Sequence, residues 1–464
     1  MKIAILGAGG VRTPLIVRAM LRRAERLGLT ELALMDVDAE RLDLIGELAQ
    51  AEEDAPDALA GNGRVLPFKI VRTTDARVAL AGADFVITTF RVGGIASRVV
   101  DERVPLRYGV LGQETTGPGG FAMAMRTIPV LLDYIVRMRE VCPEAWLINF
   151  ANPAGLLAEA AITAGGWPRT VGICDAPEGT RRVAAALFGV TPDELRLDYF
   201  GLNHLGWVRG AFLGGRDLLP RFIAMLRAAG TMPGLPFDTE FIASLGMIPN
   251  EYLFYYYHSR EAVNNILRDE ITRGEQIAGW NALLFAELQS LHAAGDLNGM
   301  RRTYQTYLEQ RGGTYMASET GQTHALAGLD PAIIRALAGE GYAGIALDLI
   351  EGLTGRAPRQ MVLNVPNAGA IHGMGACDVV EVPAFVGKGI VSPMAVGEVP
   401  RGPLGLMQQV KAYEQLTIAA ATEGSYAKAA QALTFHPLVR DYAVAKAILK
   451  GYREEHGASF PALT

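Results

Sequence analysis

The segment KIAILGAGGVRTP runs from Lys2 to Pro14, and its reading decides the fold. Lys2 to Leu6 is a short, almost wholly apolar run, the pattern of a buried strand. From Thr13 to Leu27 the residues Leu15, Ile16, Ala19, Met20 and Arg23 recur at helical spacing, and Pro14 sits at a favoured first-turn position. The turn between them holds Gly7, Gly9 and Gly10, followed by Val11 and Arg12. Glycines there let the backbone approach a pyrophosphate, and the start of the helix favours its negative charge. Arg12 occupies the usual third glycine position, so the dinucleotide fingerprint is incomplete. A second strand, Glu31 to Met35, is followed at once by Asp36. A carboxylate there would accept hydrogen bonds from an adenosine ribose and repel a 2′-phosphate, which favours NAD over NADP. The competing reading is a glycine turn with no cofactor.

Working outward, strands alternate with helices. Asp38 to Ala51 reads as a helix. Val65 to Val71, Asp84 to Thr89, Ala145 to Phe150 and Arg169 to Cys174 read as strands. This order predicts an α/β protein with a Rossmann-like parallel sheet and right-handed crossovers. After about Pro177 long helical segments dominate, at Arg260 to Ile271, Gln276 to Ala294 and Gly405 to Ala420. Shorter strand-like pieces lie at Leu197 to Phe200 and Val379 to Pro383. We therefore expect a nucleotide-binding domain over 1–195 and an α+β, mainly helical domain over 196–464, carrying substrate-binding and oligomerisation surfaces.

Composition narrows the class. Half of the 464 residues are hydrophobic and a fifth are charged, as in a soluble globular protein. A net charge of -6 without a basic block gives a nucleic-acid partner no electrostatic support. Three Cys in so long a chain cannot build a disulfide framework, which points to a reducing, cytoplasmic setting. No apolar stretch reads as long enough to span a bilayer.

In an open parallel sheet, ligands sit beyond the carboxyl ends of the strands. Several polar, glycine-rich segments fall there. Phe90 is followed by Arg91-Val92-Gly93-Gly94, with Arg98 close behind. Next come Gln113-Glu114-Thr115-Thr116-Gly117, then Asn152-Pro153 after one strand and Cys174-Asp175 after another. Asn203-His204 follows the Leu197 to Phe200 strand. Cys174 and His204 are soft and borderline metal donors, and two protein ligands would leave positions open for substrate oxygens. Residue type alone favours a buried thiol and a hydrogen-bonded core imidazole. Ile248 to Tyr257 is rich in tyrosine; a Tyr beside a cation could serve as a general base, whereas spacing alone favours aromatic packing.

Taken together, these segments resemble glycoside hydrolase family 4, most closely its 6-phospho-β-glucosidase branch. The resemblance rests on GAGGVRTP at Gly7 to Pro14, RVGGIASR at Arg91 to Arg98 and YGVLGQETTGPGGF at Tyr108 to Phe121. INFANPAG at Ile148 to Gly155, VGICDAP at Val171 to Pro177, GLNHLGW at Gly201 to Trp207 and IPNEYLFYYY at Ile248 to Tyr257 extend it. RGGTY at Arg311 to Tyr315, VLNVPNAGAI at Val362 to Ile371 and HPLV at His436 to Val439 complete the series. Their shared order runs through nearly the whole chain.

The resemblance implies bound NAD and a divalent metal, usually manganese, and an exception to two-carboxylate glycosidase chemistry. It implies hydride transfer from sugar C3, which acidifies the C2 proton. Deprotonation and loss of the C1 substituent follow, then water addition and return of the hydride. On the matching positions, Cys174 and His204 would hold the metal and Tyr252 would be the C2 base. Glu114 would raise the basicity of that tyrosine, and Arg98, Asn152 and Arg273 would bind substrate. The family also implies a homodimer or homotetramer. One position departs from the β branch, which has Asn after the metal-binding Cys where this chain has Asp175. Asp there matches the α-specific branch, in which it protonates the leaving group. Asp175 is thus a candidate general acid or an orienting residue for a metal ligand, and α-linked or non-phosphorylated glycosides remain alternatives. A plain NAD-dependent 2-hydroxy-acid dehydrogenase would share the fold, need no metal and produce net NADH. A noncatalytic NAD-binding sensor would turn over no glycoside.

Overall fold

The computed structural model describes residues 1–51, 67–230, 235–321 and 341–464. Six parallel strands form its first half: β1 (Lys2–Leu6), β2 (Glu31–Met35), β3 (Lys69–Thr73), β4 (Phe85–Thr88), β5 (Trp146–Asn149) and β6 (Thr170–Gly172). Their spatial order is β3-β2-β1-β4-β5-β6, the doubly wound dinucleotide-binding order, so the α/β expectation holds. β4 is buried along its whole length, and the other strands of the sheet centre nearly so, which is why they read as unbroken apolar runs. The strand expected from Val65 begins at Lys69, and residues 65 and 66 lie outside the described residues.

The sheet does not stop at β6. It continues antiparallel through β7 (Leu195–Leu202), β8 (Leu205–Leu213), β9 (Arg216–Asp217), β10 (Ile248–Pro249), β11 (Arg359–Pro366), β12 (Val379–Gly387) and β13 (Ile390–Pro393). From β6 the order runs β11-β12-β7-β8-β10, with β13 on β12 and β9 on β8. Gly172, Asn364, Glu381 and Gly201 lie in register across β6, β11, β12 and β7. One continuous sheet therefore carries residues from both halves of the chain to a common row.

Helices cover both faces. The first, Thr13–Leu27, starts with Pro14 and ends at Gly28, whose left-handed backbone returns its N–H to Ala24 and Glu25 carbonyls. Helix Arg273–Ala293 opens with a capping box, Thr272 and Glu275 bonding each other's backbone N–H. The 24-residue helix Pro118–Val141 is long and apolar enough by length and composition to cross a bilayer, a stretch missed by the sequence reading above. Here it is a core helix: 72% of its most apolar window is buried inside the protein, against helices Gly94–Leu106 and Arg401–Glu423. No other helix among the described residues passes that test.

Backbones approach closely where β1 gives way to its glycine turn. Gly7 has φ +95°, and a Cβ there would lie 2.5 Å from the Phe90 nitrogen. Thr89 closes the same junction by donating its hydroxyl to the Leu6 and Gly7 carbonyls, at 3.2 and 3.1 Å. Gly7→Ala is therefore expected to cost at least about 2 kcal/mol, the sum of left-handed strain and overlap. Gly82→Ala, also at positive φ but with no neighbour within 4 Å, should cost only the backbone part, about 1 kcal/mol. Denaturant unfolding of the two variants checks this; equal losses would remove the close-approach argument.

Candidate active site

Loops at the carboxyl ends of β1, β2, β4, β5 and β6 converge. In the first, the Gly7 and Ala8 N–H groups both donate to the Met35 carbonyl at 2.9 Å, which ties the turn to β2. Asp36 Oδ2 accepts the Gly9 N–H at 2.8 Å, and Oδ1 accepts the Asp38 N–H at 3.1 Å. Gly10 N–H returns to the Gly7 carbonyl, and the Val11 carbonyl accepts the Tyr304 hydroxyl at 2.6 Å. Arg12 precedes the helix without capping it through its side chain. The helix start and the glycine backbone thus face the loop, an arrangement that fits a pyrophosphate. A carboxylate has lone pairs enough to hold the Gly9 N–H and still accept a ribose hydroxyl at Asp36.

Cys174 and His204 reach the site from different strands. Cys174 lies two residues past β6 and is buried. His204 occupies the two-residue turn between β7 and β8, at φ +62°, a left-handed conformation that costs a non-glycine residue about 1–3 kcal/mol. The carboxylate of Glu381 on β12 links their surroundings. It accepts the Tyr199 hydroxyl at 2.6 Å, Asn364 Nδ2 at 3.0 Å and Nδ2 of Asn203, the neighbour of His204, at 3.3 Å. Gly206 makes room for this hub, since a Cβ there would fall 2.0 Å from the Tyr199 hydroxyl. Burial raises Glu381 to about 7, against the pull of those three donors.

Burial also holds the His204 imidazole neutral, down to about 4, with Glu114 pulling weakly the other way. The Cys174 thiol is pushed up by burial first, then by Glu381, Asp175 and Glu251, while the Ala176 N–H opposes them. Glu251 is itself raised to about 8, by burial and then by Asp175 and Glu381. A thiol crowded by carboxylates and a neutral imidazole, both buried on the same sheet, are donors suited to a divalent cation. Among the described residues no group of three or more His, Cys, Asp or Glu side chains is arranged around one ion, so such a cation would draw on two protein donors and on ligand oxygens.

Tyr252 is delivered by strand pairing. β10 lies antiparallel to β8, and the Asn250 N–H donates to the Gly206 carbonyl at 2.8 Å. Asn250 Oδ1 then accepts the Tyr252 N–H at 2.9 Å and starts a short 3-10 turn. The Tyr252 ring lands flat on His204, with centroids 3.8 Å apart and planes 8° from parallel. Its hydroxyl accepts a hydrogen bond from the Tyr315 hydroxyl at 2.9 Å.

The remaining candidates divide. Glu114 pairs with Arg91 and, at 2.9 Å, with Arg98 Nη1. Burial alone would raise its carboxyl, but Arg91, Arg98 and Arg311 override it and hold it at about 2. Arg98 also donates Nε to Glu102 at 2.7 Å, and Glu102 accepts the Gly274 N–H at 2.6 Å, which docks the start of helix Arg273–Ala293. Arg273 donates to Gln276 Oε1, Thr314 Oγ1 and the Arg311 carbonyl, at 3.2, 2.7 and 2.7 Å. Asn152, half-buried, precedes a cis peptide bond to Pro153. Asp175 stands at the start of helix Ala176–Phe188 without using its side chain to cap it, within electrostatic reach of Cys174 and Glu251. A small cavity of about 20 Å³ lies between His204, Tyr413, Glu414 and His436, room for one water. A larger open depression of about 440 Å³, around Asp84, Trp146 and Arg356, lies at the amino ends of β4 and β5, on the far side of the sheet from these loops.

The description of family 4 glycosyl hydrolases matches residues 2–190, and that of their C-terminal domain matches 199–439. The chain belongs to glycosyl hydrolase family 4. A Bacillus subtilis relative named "Probable 6-phospho-beta-glucosidase" is 34% identical over 469 residues, covering 99% of this chain and 97% of its own. The Thermotoga maritima 6-phospho-β-glucosidase, solved with manganese, NAD+ and glucose-6-phosphate, has a TM-score of 0.81 at 26% identity over 100% of both chains. A 6-phospho-α-glucosidase from gut microorganisms, solved with NAD and Mn2+, has a TM-score of 0.81 at 28% identity, over 100% of this chain and 99% of its own. This family 4 enzyme thus has relatives of both anomeric types.

Arg91, Arg311, Thr314 and Tyr315 stood inside quoted motifs but were given no role from sequence; Glu381 carried no signal beyond its strand. His436 yields a pH prediction. Its imidazole is driven down to about 3, by burial first and then by Arg440, and its Nδ1 accepts the Leu438 N–H at 3.2 Å. The unfolded chain takes up that proton near pH 6.5, so the stabilisation is complete above about 6.5 and is lost as pH falls toward 3. At pH 5 the loss from this residue is about 2 kcal/mol. His436→Asn should therefore show a smaller drop in Tm between pH 7.5 and about 5 than the parent; an equal drop would show that His436 does not carry the acid sensitivity.

Proposed function

We propose that this enzyme hydrolyses 6-phospho-β-glucosides, using NAD and a divalent metal of the manganese type that its structural neighbours hold, through oxidation at C3 and elimination across C1 and C2.

 The observation that carries this reading is the flat stacking of Tyr252 on His204, 3.8 Å apart, in a pocket where carboxylates crowd Cys174. When bound, the nicotinamide supplies a reversible hydride acceptor for C3, and the metal supplies a Lewis acid for the sugar oxygens.

The chain's own residues then have distinct tasks. Gly7, Gly9, Gly10, Val11 and Arg12 shape the pyrophosphate loop, and Asp36 fixes it while offering an acceptor to the ribose. Cys174 and His204 hold the ion. Tyr252, as phenolate, takes the proton from C2 of a sugar already oxidised at C3. The C–H electron pair moves toward the C3 ketone, the C1–oxygen bond then breaks, and the aglycone oxygen leaves with a proton from Asp175 or water; water adds at C1, C2 regains a proton, and C3 is reduced again, so no net redox change remains. Arg98, Arg273 and Asn152 orient the phosphosugar. Glu114, held ionised at about 2, keeps Arg91 and Arg98 in place and is the negative charge assigned here to raise the basicity of Tyr252. We place the functional division at 195/196, with the nucleotide on one side and most of the sugar contacts on the other.

The β assignment is supported by the 34% identical Bacillus subtilis relative. One observation favours α-linked substrates as a second reading. Asp175 is half-buried beside Cys174 and Glu251, where it could protonate a leaving group.

Both readings are separated by α- and β-nitrophenyl glucosides, with and without 6-phosphate, assayed with NAD and manganese. Release from the 6-phospho-β-glucoside, deuterium at C2 in heavy water and no net NADH are expected. Net NADH from a hydroxy acid would instead indicate a dehydrogenase, and faster release from the α anomer would assign Asp175 as the acid. Cys174→Ser and His204→Ala should each weaken Mn2+ binding, followed by electron paramagnetic resonance, at least about tenfold while NAD still binds. Unaltered Mn2+ affinity in either variant would remove that residue from the metal site.

A further inference from the structure

The segment Arg311-Gly312-Gly313-Thr314-Tyr315 is a motif that the reading above leaves without a task. Its first three residues close helix Leu297–Gly313, whose last carbonyls have no partner within the helix, and Thr314 and Tyr315 follow it. Besides the pull of Arg311 on Glu114, it makes three hydrogen bonds to the site, and two of them run to one side chain. Arg273 donates to the Arg311 carbonyl and to Thr314 Oγ1, each at 2.7 Å. The third is the hydroxyl of Tyr315, which donates to the hydroxyl of Tyr252 at 2.9 Å. One short segment therefore holds both a proposed sugar-binding arginine and the proposed proton acceptor.

We propose that Tyr315 is a positioning residue for C2 deprotonation: its hydroxyl fixes the Tyr252 oxygen and stabilises it by donating a hydrogen bond. The geometry suits this task. The Tyr252 ring is clamped on one face by His204, so its direction is set, while its oxygen is held by Tyr315. A donor aimed at an oxygen that bears negative charge before the transfer keeps that oxygen in place without costly reorganisation. Tyr315 has 43% of its surface exposed, yet its hydroxyl is enclosed, so the ring meets solvent while the polar end points inward. Tyr315 is the donor of the pair and Tyr252 the acceptor, so the hydrogen bond already points the way the task requires.

This inference rests on Tyr252 as the C2 base, and the experiment separates the two. Tyr315→Phe removes only the hydroxyl from a partly exposed ring, whereas Thr314→Val removes the contact to Arg273 together with the bonds that the Thr314 hydroxyl donates to the Gln310 and Arg311 carbonyls, and leaves Tyr315 intact. In Tyr315→Phe, kcat should fall about tenfold with KM changed by no more than roughly twofold. The isotope effect from deuterium at substrate C2 should rise, and the effect from deuterium at C3 should not. Thr314→Val should raise KM and leave the C2 isotope effect unchanged. A Tyr315→Phe enzyme with parental kcat, or one in which both isotope effects move together, would overturn the proposal. So would a Tyr315→Phe chain that does not fold, provided Thr314→Val also shows the rise in the C2 effect, because the segment would then act only as scaffold. Tyr252→Phe identifies which claim has failed. If it leaves C2 exchange in heavy water intact, the base assignment is wrong. If it stops exchange while Tyr315→Phe behaves as the parent, only the role of Tyr315 is wrong.

Discussion

The buried pair of Asp101 and Arg126 is the interaction on which the geometry of the site depends. Arg126 donates to both carboxylate oxygens, at 2.8 and 2.6 Å, and both side chains are fully enclosed. His456 Nε2 lies 2.9 Å from Asp101 Oδ1 and 3.0 Å from Arg126 Nη1, and the Tyr452 hydroxyl donates to the Asp101 carbonyl at 2.9 Å. Arg126 Nε reaches back to the Val92 carbonyl at 3.3 Å. Helices Gly94–Leu106, Pro118–Val141 and Tyr442–His456 and the loop holding Arg91 are thereby fixed to one another. Losing one partner of such a pair leaves a buried charge uncompensated, at a cost of about 3–5 kcal/mol. The arrangement specifies where Arg91 and Arg98 stand, and those two arginines hold Glu114. Helix Tyr442–His456 lies beyond the residues matched by the family descriptions, yet it closes this lock.

A second constraint is the row Gly172, Asn364, Glu381 and Gly201 across four strands. It places the Cys174 segment and the His204 turn on one sheet although they come from different halves of the chain. Glu381 then ties the His204 turn down through Asn203. The left-handed backbone at His204 persists because the register of β7 with β8 and the Asn203 contact determine it from both sides. Strand pairing again, through β10 and β8, supplies the Tyr252 ring that packs on His204.

These origins explain what was legible in the sequence. β1, β2 and helix Thr13–Leu27 match their expected limits residue for residue, because short apolar runs, a first-turn proline and Gly28 mark them locally. β4, β5 and β6 are one or two residues shorter at each end than the apolar runs that announced them. β8 and β11 were not foreseen: Gly206, Arg209 and Gly210 break the apolar pattern of the first, and Arg359, Gln360 and Asn364 that of the second. Helix Arg273–Ala293 begins three residues before the expected Gln276, although Thr272 and Glu275 carried its capping signal. The partnership of Tyr252 with Tyr315 spans 63 residues and follows no local period, so spacing could not reveal it. Nor could composition show that Glu114 is committed to two arginines.

The carboxylates around the site fall into two groups, and the division bears on the chemistry. Glu114 is held ionised by Arg91 and Arg98, and both of those guanidinium groups lie on it. Glu251 and Glu381 are driven up by burial, to about 8 and about 7, and Glu381 already accepts three hydrogen bonds. A glycosidase that works with two carboxyl groups needs one exposed to the leaving oxygen and another facing water or the anomeric carbon. Glu114 has no proton to give and its carboxylate is paired with Arg91 and Arg98. Glu381 is a scaffold whose oxygens are taken by Tyr199, Asn203 and Asn364. Tyr252, by contrast, is held at three points: its ring stacks on His204, Asn250 Oδ1 accepts its backbone N–H, and Tyr315 donates to its phenolic oxygen. A phenolate is a suitable acceptor for a carbon-bound proton once an adjacent ketone has made that proton acidic. Glu114 and Glu381, each committed to its own partners, thus leave the role proposed above for Tyr252 uncontested.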